Sequence, residues 1–280
     1  MSSAGPRLAV IIVSFNTREW LARCLSSLDR QTIRNDMEVI VVDNASDDDS
    51  VHMVRAEFPR CNLVCLDENK GFGAANNAGA CESTAATLLF LNPDTKIAED
   101  RCLEEFLAVL ELHPEVAIAA GTLHDGEGEL ERSTGCFPTL TSLVLDKVLA
   151  GLPVLRATLG RRSARHWYGF DTERQVDWAT AAALWVRRQA FESIGGFDEE
   201  IFMYYEDVDL CYRARSDGQV CRYYPSGPIT HFRNKSPTPH DRKRLQRNWL
   251  RHFVSKHYRG WRHGPTRLAF NGLWWISRWR

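Results

Sequence analysis

Leu88-Leu-Phe-Leu-Asn-Pro-Asp-Thr95 decides the fold. Four apolar residues in a row fit a strand covered on both faces, as parallel strands between helix layers are. Pro93 has no N–H for a ladder and ends the strand. Asp94 then falls just past its carboxyl end, the edge where open α/β sheets bind ligands. A carboxylate there suits Mg2+ or Mn2+ held against a diphosphate, because hard cations take oxygen ligands. The Asn-Pro-Asp triplet also has the composition of a plain turn.

Upstream, Leu8–Ser14, Met37–Val42 and Asn62–Leu66 read as three more strands. Between the first two, Thr17 is a candidate helix N-cap, and Trp20, Leu21, Cys24, Leu25 and Leu28 repeat at helical spacing. Asp47, Asp48 and Asp49 open the next helix, where the helix dipole favours acids, with Val51, Val54 and Phe58 inward. Glu68 to Gly79 enters a third helix. This alternation predicts an α/β fold with a doubly wound, mostly parallel sheet.

Downstream, Glu99–Leu112 has the spacing of an amphipathic helix and Val116–Ala120 that of a strand. Gly121–Gly135 reads as a hairpin or loop, and Leu140–Arg165 as a mixed, variable stretch. Val176–Val186 is a strand or close-packed loop, and Arg187–Ile194 is a short helix stopped by Gly195-Gly196. Val208–Ser216 is another helix, with Glu206 and Asp207 at its N-terminus, and Gln219–Tyr224 a strand. The chain divides into 1–120, a second half at 121–235 of the same domain with a smaller antiparallel region, and a helical tail at 236–280.

A chain of 280 residues that is 44% hydrophobic can bury a large core. No apolar run reaches the roughly 18 residues that span a bilayer, and Met1–Pro6 is too short and polar for a secretory signal. The eight cysteines are scattered without a Cys-x-x-Cys pair, so they read as reduced thiols of a cytoplasmic protein. Of 35 Lys/Arg and 36 Asp/Glu, 13 basic residues but only Asp241 among the acids follow His231. That basic tail also holds Trp249, Trp261, Trp274, Trp275 and Trp279. Such a mixture suits an anionic membrane surface on the cytosolic side, or a helix packed on the domain with a solvated face. Nucleic acid is not the expected partner, since that function needs no acids at strand ends.

Several polar residues stand where chemistry is plausible. Asp43, at the end of the second strand, either accepts from a base imide or ribose hydroxyl or caps the following helix. Lys70-Gly71-Phe72-Gly73 matches no phosphate-loop fingerprint. Asn76 and Asn77 are poor helix formers that bond a sugar nucleotide or cap locally. Trp178 and Trp185 lie among alanines, a pattern that fits sugar contact or tight core packing. Glu206, Asp207 and Asp209 follow Phe202-Met-Tyr-Tyr205; acids there either complement the helix dipole or serve as a general base behind an aromatic lip. His231 follows a strand and is structural or a metal ligand.

The ordered set Val-Ser-Phe-Asn16, Val-Val-Asp-Asn-Ala-Ser46, Asn-Lys-Gly-Phe-Gly-Ala-Ala-Asn-Asn-Ala-Gly79, Leu-Asn-Pro-Asp94, Gly-Gly-Phe-Asp198, Phe-Met-Tyr-Tyr-Glu-Asp-Val-Asp-Leu210 and His231 resembles the family-2 inverting glycosyltransferases of GT-A fold, and their rhamnosyltransferase-like members most. The resemblance implies a dTDP- or UDP-sugar donor lying against Ser14, Asn16, Asp43, Asn44, Lys70, Gly71, Asn76, Asn77 and Asn92. It implies Mg2+ or Mn2+ on Asp94 and His231, Asp207 as base supported by Glu206, and a saccharide or lipid-linked acceptor near Trp178, Tyr205 and Asp209. Asn92 stands where the family's metal motif usually has its first acid. The competing classes are a nucleotidyltransferase, whose glycine-rich signature after the first strand is replaced here by Ser14-Phe15-Asn16, and a sugar-nucleotide binder without transfer.

Overall fold

The computed structural model describes residues 5–139, 170–233, 235, 242–258 and 264. Its centre is an eight-stranded sheet. Strands β1 (Leu8–Ser14), β2 (Met37–Asp43), β3 (Asn62–Cys65) and β4 (Thr87–Leu91) run parallel in the order β3-β2-β1-β4. The helices α1 (Arg18–Asp29), α2 (Ser50–Glu57) and α3 (Phe72–Cys81) make the crossovers. Residues alternate between two cores: Leu8, Val10 and Ile12 of β1 face one, Ala9, Ile11 and Val13 the other. Every residue of β1 and β4 is buried, as the continuous apolar runs required.

Beyond β4 come β5 (Thr95–Ile97), α4 (Cys102–Leu112), β6 (Val116–Ala120), β7 (Leu123–His124), β8 (Thr134–Gly135), β9 (Arg174–Gln175), β10 (Trp178–Ala179) and β11 (Ala183–Arg187). The chain continues through α5 (Arg188–Ser193), α6 (Glu206–Ser216), β12 (Val220–Tyr223), β13 (Ile229–His231) and α7 (Arg242–His257). The stretch 176–186 thus makes two strands. Its second, β11, enters the main sheet antiparallel to both β4 and β6, and the order continues β4-β11-β6-β12-β9. An apolar run carries no direction, so this insertion was invisible in the sequence. A separate small sheet, β5-β13-β7, lies beyond the carboxyl end of β4.

Local details differ from the sequence reading. Trp20 is not core; its ring packs 5.0 Å from Phe232, with Arg23 and Lys235 over it. Thr17 turns its hydroxyl to Ser14 instead of capping α1. Trp185 is core, stacked 4.7 Å from Phe106. The tail helix α7 is packed on the domain, with Phe253 and Val254, and Tyr258 just after it, buried in the same core as β4 and α6. The stretch Leu140–Arg165 and Trp261, Trp274, Trp275 and Trp279 lie outside the described residues. All eight cysteines are free, and burial pushes the Cys24 and Cys102 thiols up to about 12. Among the described residues no helix is long and apolar enough to cross a membrane.

Candidate active site

The small sheet assembles the first half of the site. His231, the last residue of β13, is in register with Thr95 of β5, so it stands beside Asp94. Its Nε2 lies 3.3 Å from Asp94 Oδ1 and 3.3 Å from the Asn92 amide. On the other side β13 pairs with β7, and the hairpin after β7 returns through Glu131, whose N–H donates to Leu123 O. Glu131 Oε2 meets His231 Nδ1 at 2.9 Å, and Oε1 meets Arg233 at 2.7 Å. The backbone closes around Asp94: Phe232 N–H donates to its carbonyl at 2.9 Å and Lys235 N–H to Oδ2 at 3.3 Å.

Electrostatics follow from this packing. Burial alone would pull the His231 imidazole down, but Asp94 and Glu131 outweigh it and lift it to about 9. Burial would likewise raise Glu131, yet His231 and Arg233 hold it below the usual carboxylate range. Two ligands of one small cation at about 2.1 Å stand roughly 3 Å apart. The 3.3 Å between Asp94 Oδ1 and His231 Nε2 fits that spacing, and their oxygen and imidazole donors fit Mn2+ or Mg2+. Asp198, Glu200 and His252 also approach one another, but Lys256 Nζ already sits 2.5 Å from Asp198 Oδ2 as their cation.

The second half comes from α6. Asn92 N–H bonds to Ala182 O at the edge where β4 meets the start of β11, and Ala181 N–H donates to Asp207 Oδ2 at 3.3 Å. The partners of Asp207 and Asn92 are therefore consecutive residues, and Asp207 and Asp94 share the carboxyl edge of β4. Asp207 Oδ1 accepts from Val208 N–H at 2.8 Å. Burial raises the Asp207 carboxyl above its ordinary range. Glu206 is pushed up to about 8 by burial and then by Asp207, and its Oε2 has no partner. Tyr204 and Tyr205, just before α6, both have left-handed backbones, φ 70° and 73°. Bulky residues hold such φ values only under constraint, which is common beside active sites.

Asp43 ends β2 on the same edge. Oδ2 accepts from Ser46 N–H at 3.0 Å, while the buried Oδ1 has no partner and is open to a donor. Asn16, φ 53°, ties the two neighbouring loops by accepting from Asp47 N–H and donating its own N–H to Ser46. Gly71, φ 83°, lies so close to Phe202 O that no Cβ would fit. This brings the loop before α3 against the segment leading to Asp207.

The chain as a whole has known relatives. The sequence pattern described as Glycosyl transferase family 2 matches residues 9–162, more than half of the chain. The chain belongs to that family. This glycosyltransferase is 27% identical over 281 residues to the N-acetylglucosaminyl-diphospho-decaprenol L-rhamnosyltransferase of Mycobacterium tuberculosis, covering 95% of its own length and 89% of the relative. It is 24% identical to rhamnosyltransferase WbbL of Escherichia coli K12, covering 80% and 82%. Among solved structures it resembles the mannosyltransferase PcManGT of Pyrobaculum calidifontis in complex with GDP-Man and Mn2+, with TM-score 0.60 and 17% identity over 96% of this chain and 69% of that one. The family and fold expected from the motifs hold.

Several of the expected contact residues of the glycosyltransferase also have partners within the protein. Asn44 is buried and holds the Asn69–Gly71 loop, donating to Asn69 and Gly71 O and accepting from Lys70 N–H. Lys70 contributes that backbone N–H; its side chain is exposed. Ser14 is buried against Thr17. Asn76 donates to Phe72 O within its own helix. Asn77 pins α3 to the turn after α5, 120 residues on, accepting from Phe197 N–H and donating to Phe197 O and Glu199. Trp178 gives its indole N–H to Cys136 O, and the Tyr205 ring lies 6.4 Å from Phe253 of the tail. Asp209 is wholly buried and bonds Arg213, Lys256 and His257. Glu131 went unread because its hairpin has no periodicity and its partner lies 100 residues on.

Proposed function

We propose that this glycosyltransferase moves a sugar, rhamnose first among candidates, from a dTDP- or UDP-linked donor to a hydroxyl of a saccharide or lipid-linked saccharide in surface polysaccharide synthesis. The observation that carries the reading is the shared strand edge of Asp94–His231 and Asp207. The rhamnosyltransferase names of the two long-matching relatives support the sugar. Asp43, with its orphan Oδ1, takes a donor hydrogen from the base or ribose. Asp94 and His231 would hold Mg2+ or Mn2+, which would supply positive charge to offset that of a diphosphate leaving group. Asp207 takes the acceptor hydroxyl's proton as that oxygen attacks the anomeric carbon from the face opposite the leaving group. Its raised carboxyl makes it a stronger base than a solvated aspartate. One displacement inverts the anomeric configuration.

The basic tail brings the enzyme to an anionic membrane face bearing a lipid-linked acceptor. In α7 the apolar side is already spent on the domain, so the attachment falls to the residues after Tyr258. A thermal-shift screen of dTDP-rhamnose, UDP-hexoses and UDP-furanoses, with and without Mn2+, tests the donor assignment. A donor at 100 times its Kd stabilises by about 2.7 kcal/mol. Incubation of the stabilising donor with a polyprenyl-diphosphate saccharide then yields an inverted glycoside. Stabilisation without any product, across acceptors, contradicts transfer.

A further inference from the structure

We infer that Glu131 is the positioning residue of the metal centre. The inference rests on the reading of Asp94 and His231 as cation ligands and adds a residue to it. Three facts single Glu131 out. It is a carboxylate only 8% exposed, on a segment that otherwise looks like a polar surface hairpin. Both of its oxygens are engaged, Oε2 with His231 Nδ1 at 2.9 Å and Oε1 with Arg233 at 2.7 Å. It is also placed by backbone, through its N–H to Leu123 O and the pairing of β7 with β13, so it does not depend on a flexible reach.

The consequence is chemical. An imidazole presents a lone pair at Nε2 only when its proton sits on Nδ1, and it turns about two bonds unless something holds it. Glu131 accepts a hydrogen bond from Nδ1–H and so turns Nε2 toward Asp94 Oδ1, 3.3 Å away, where a cation would take the place of the Nε2 proton. A carboxylate on the far nitrogen also makes the ring a better donor, the arrangement by which histidine ligands of metals are commonly oriented. Arg233 holds the second oxygen, so the carboxylate cannot swing away from the ring. The hairpin at 121–135 thereby becomes part of the active site without touching sugar, nucleotide or cation.

The test uses the full chain and Mn2+ itself. Wild type, Glu131→Gln, Glu131→Ala and His231→Ala are titrated with Mn2+, the free ion being counted by electron paramagnetic resonance. Pulsed measurements on the bound ion read coupling to a ligating 14N. Loss of such outer partners typically weakens metal binding 10–100-fold. We expect that loss in Glu131→Ala, a smaller one in Glu131→Gln, whose amide oxygen still accepts from Nδ1, and a diminished 14N coupling in both. Melting without metal identifies any variant that has lost its fold, and Glu131→Gln keeps the side chain's volume as a safeguard. If His231→Ala weakens Mn2+ and both Glu131 variants bind like wild type with full 14N coupling, the positioning role is overturned while the metal reading stands. If wild type binds no Mn2+, or His231→Ala binds equally well, the metal reading itself fails and the role of Glu131 with it.

Discussion

Replacing Asp209 separates two accounts of the same acid. In sequence it stands two residues after Asp207 and reads as an acceptor contact; in the structure it is wholly buried and bonds Arg213 at 2.6 Å, Lys256 at 2.8 Å and His257 at 2.6 Å. Asp209→Ala leaves those groups facing an empty site. Breaking one side of a buried charge cluster costs about 3–5 kcal/mol. Arg213 and Lys256 keep 20% and 29% of their side-chain surface in water and rehydrate partly, so the lower end, about 3 kcal/mol, is expected. With a urea m-value of about 3 kcal/mol/M the midpoint falls by roughly 1 M. Burial opposes the charge on Asp209, but His257, Arg213 and Lys256 outweigh it and hold the carboxyl far below its ordinary range. A depressed carboxyl contributes stability that is present above its unfolded pKa, about 3.9, and is lost as pH falls through the folded value. The gap between wild type and Asp209→Asn is therefore full at pH 7 and narrows below about pH 4. Urea titrations at pH 7 and pH 3, alongside acceptor KM, decide the matter. A cost under about 1 kcal/mol together with a raised acceptor KM would refute the buried-hub account.

Two other substitutions probe the frame and the base. Gly79→Ala puts a Cβ 2.6 Å from Ile11 Cγ2 and 2.9 Å from Val42 Cγ2, so α3 must lift from β1 and β2; a loss of about 1–3 kcal/mol in urea is expected despite alanine's better helix propensity. Glu206→Gln should stabilise the protein at neutral pH. The buried carboxyl keeps its proton to about 8, whereas the unfolded one releases it near 4.3, so wild-type stability falls as pH rises through that window by about 1.4 kcal/mol per unit. The glutamine variant escapes this loss, and parallel stability curves between pH 5 and 8 would count against the buried, proton-holding Glu206.

The parallel half of the sheet was legible because β1 and β4, and β2 from Val39 onward, are covered on both faces and so written as apolar runs. Asp94 and Asp207 were legible from position, one at a strand's end and one at a helix's start. The asparagines were not: Asn44 and Asn77 have donors and acceptors that serve a backbone turn as well as a ligand, and only coordinates show the turn. The burial of Asp209 was not legible for a related reason, since two of its three cationic partners lie on a helix 47 and 48 residues away. The antiparallel entry of β11 and the convergence of Glu131 on His231 depend on pairings across the chain, which no local pattern records.

The most direct test of the central claim is Asp207→Asn, measured for donor binding by calorimetry and for glycosyl transfer in the same preparation. Asparagine keeps one acceptor oxygen, enough for the Val208 N–H that now bonds Oδ1 at 2.8 Å, gives up the longer bond from Ala181 to Oδ2, and cannot take a proton from an alcohol. The account predicts transfer reduced by about 10²–10⁴-fold, the usual worth of a general base, with donor affinity nearly unchanged. Transfer that survives the substitution, or that falls only in step with lost donor binding, would contradict it.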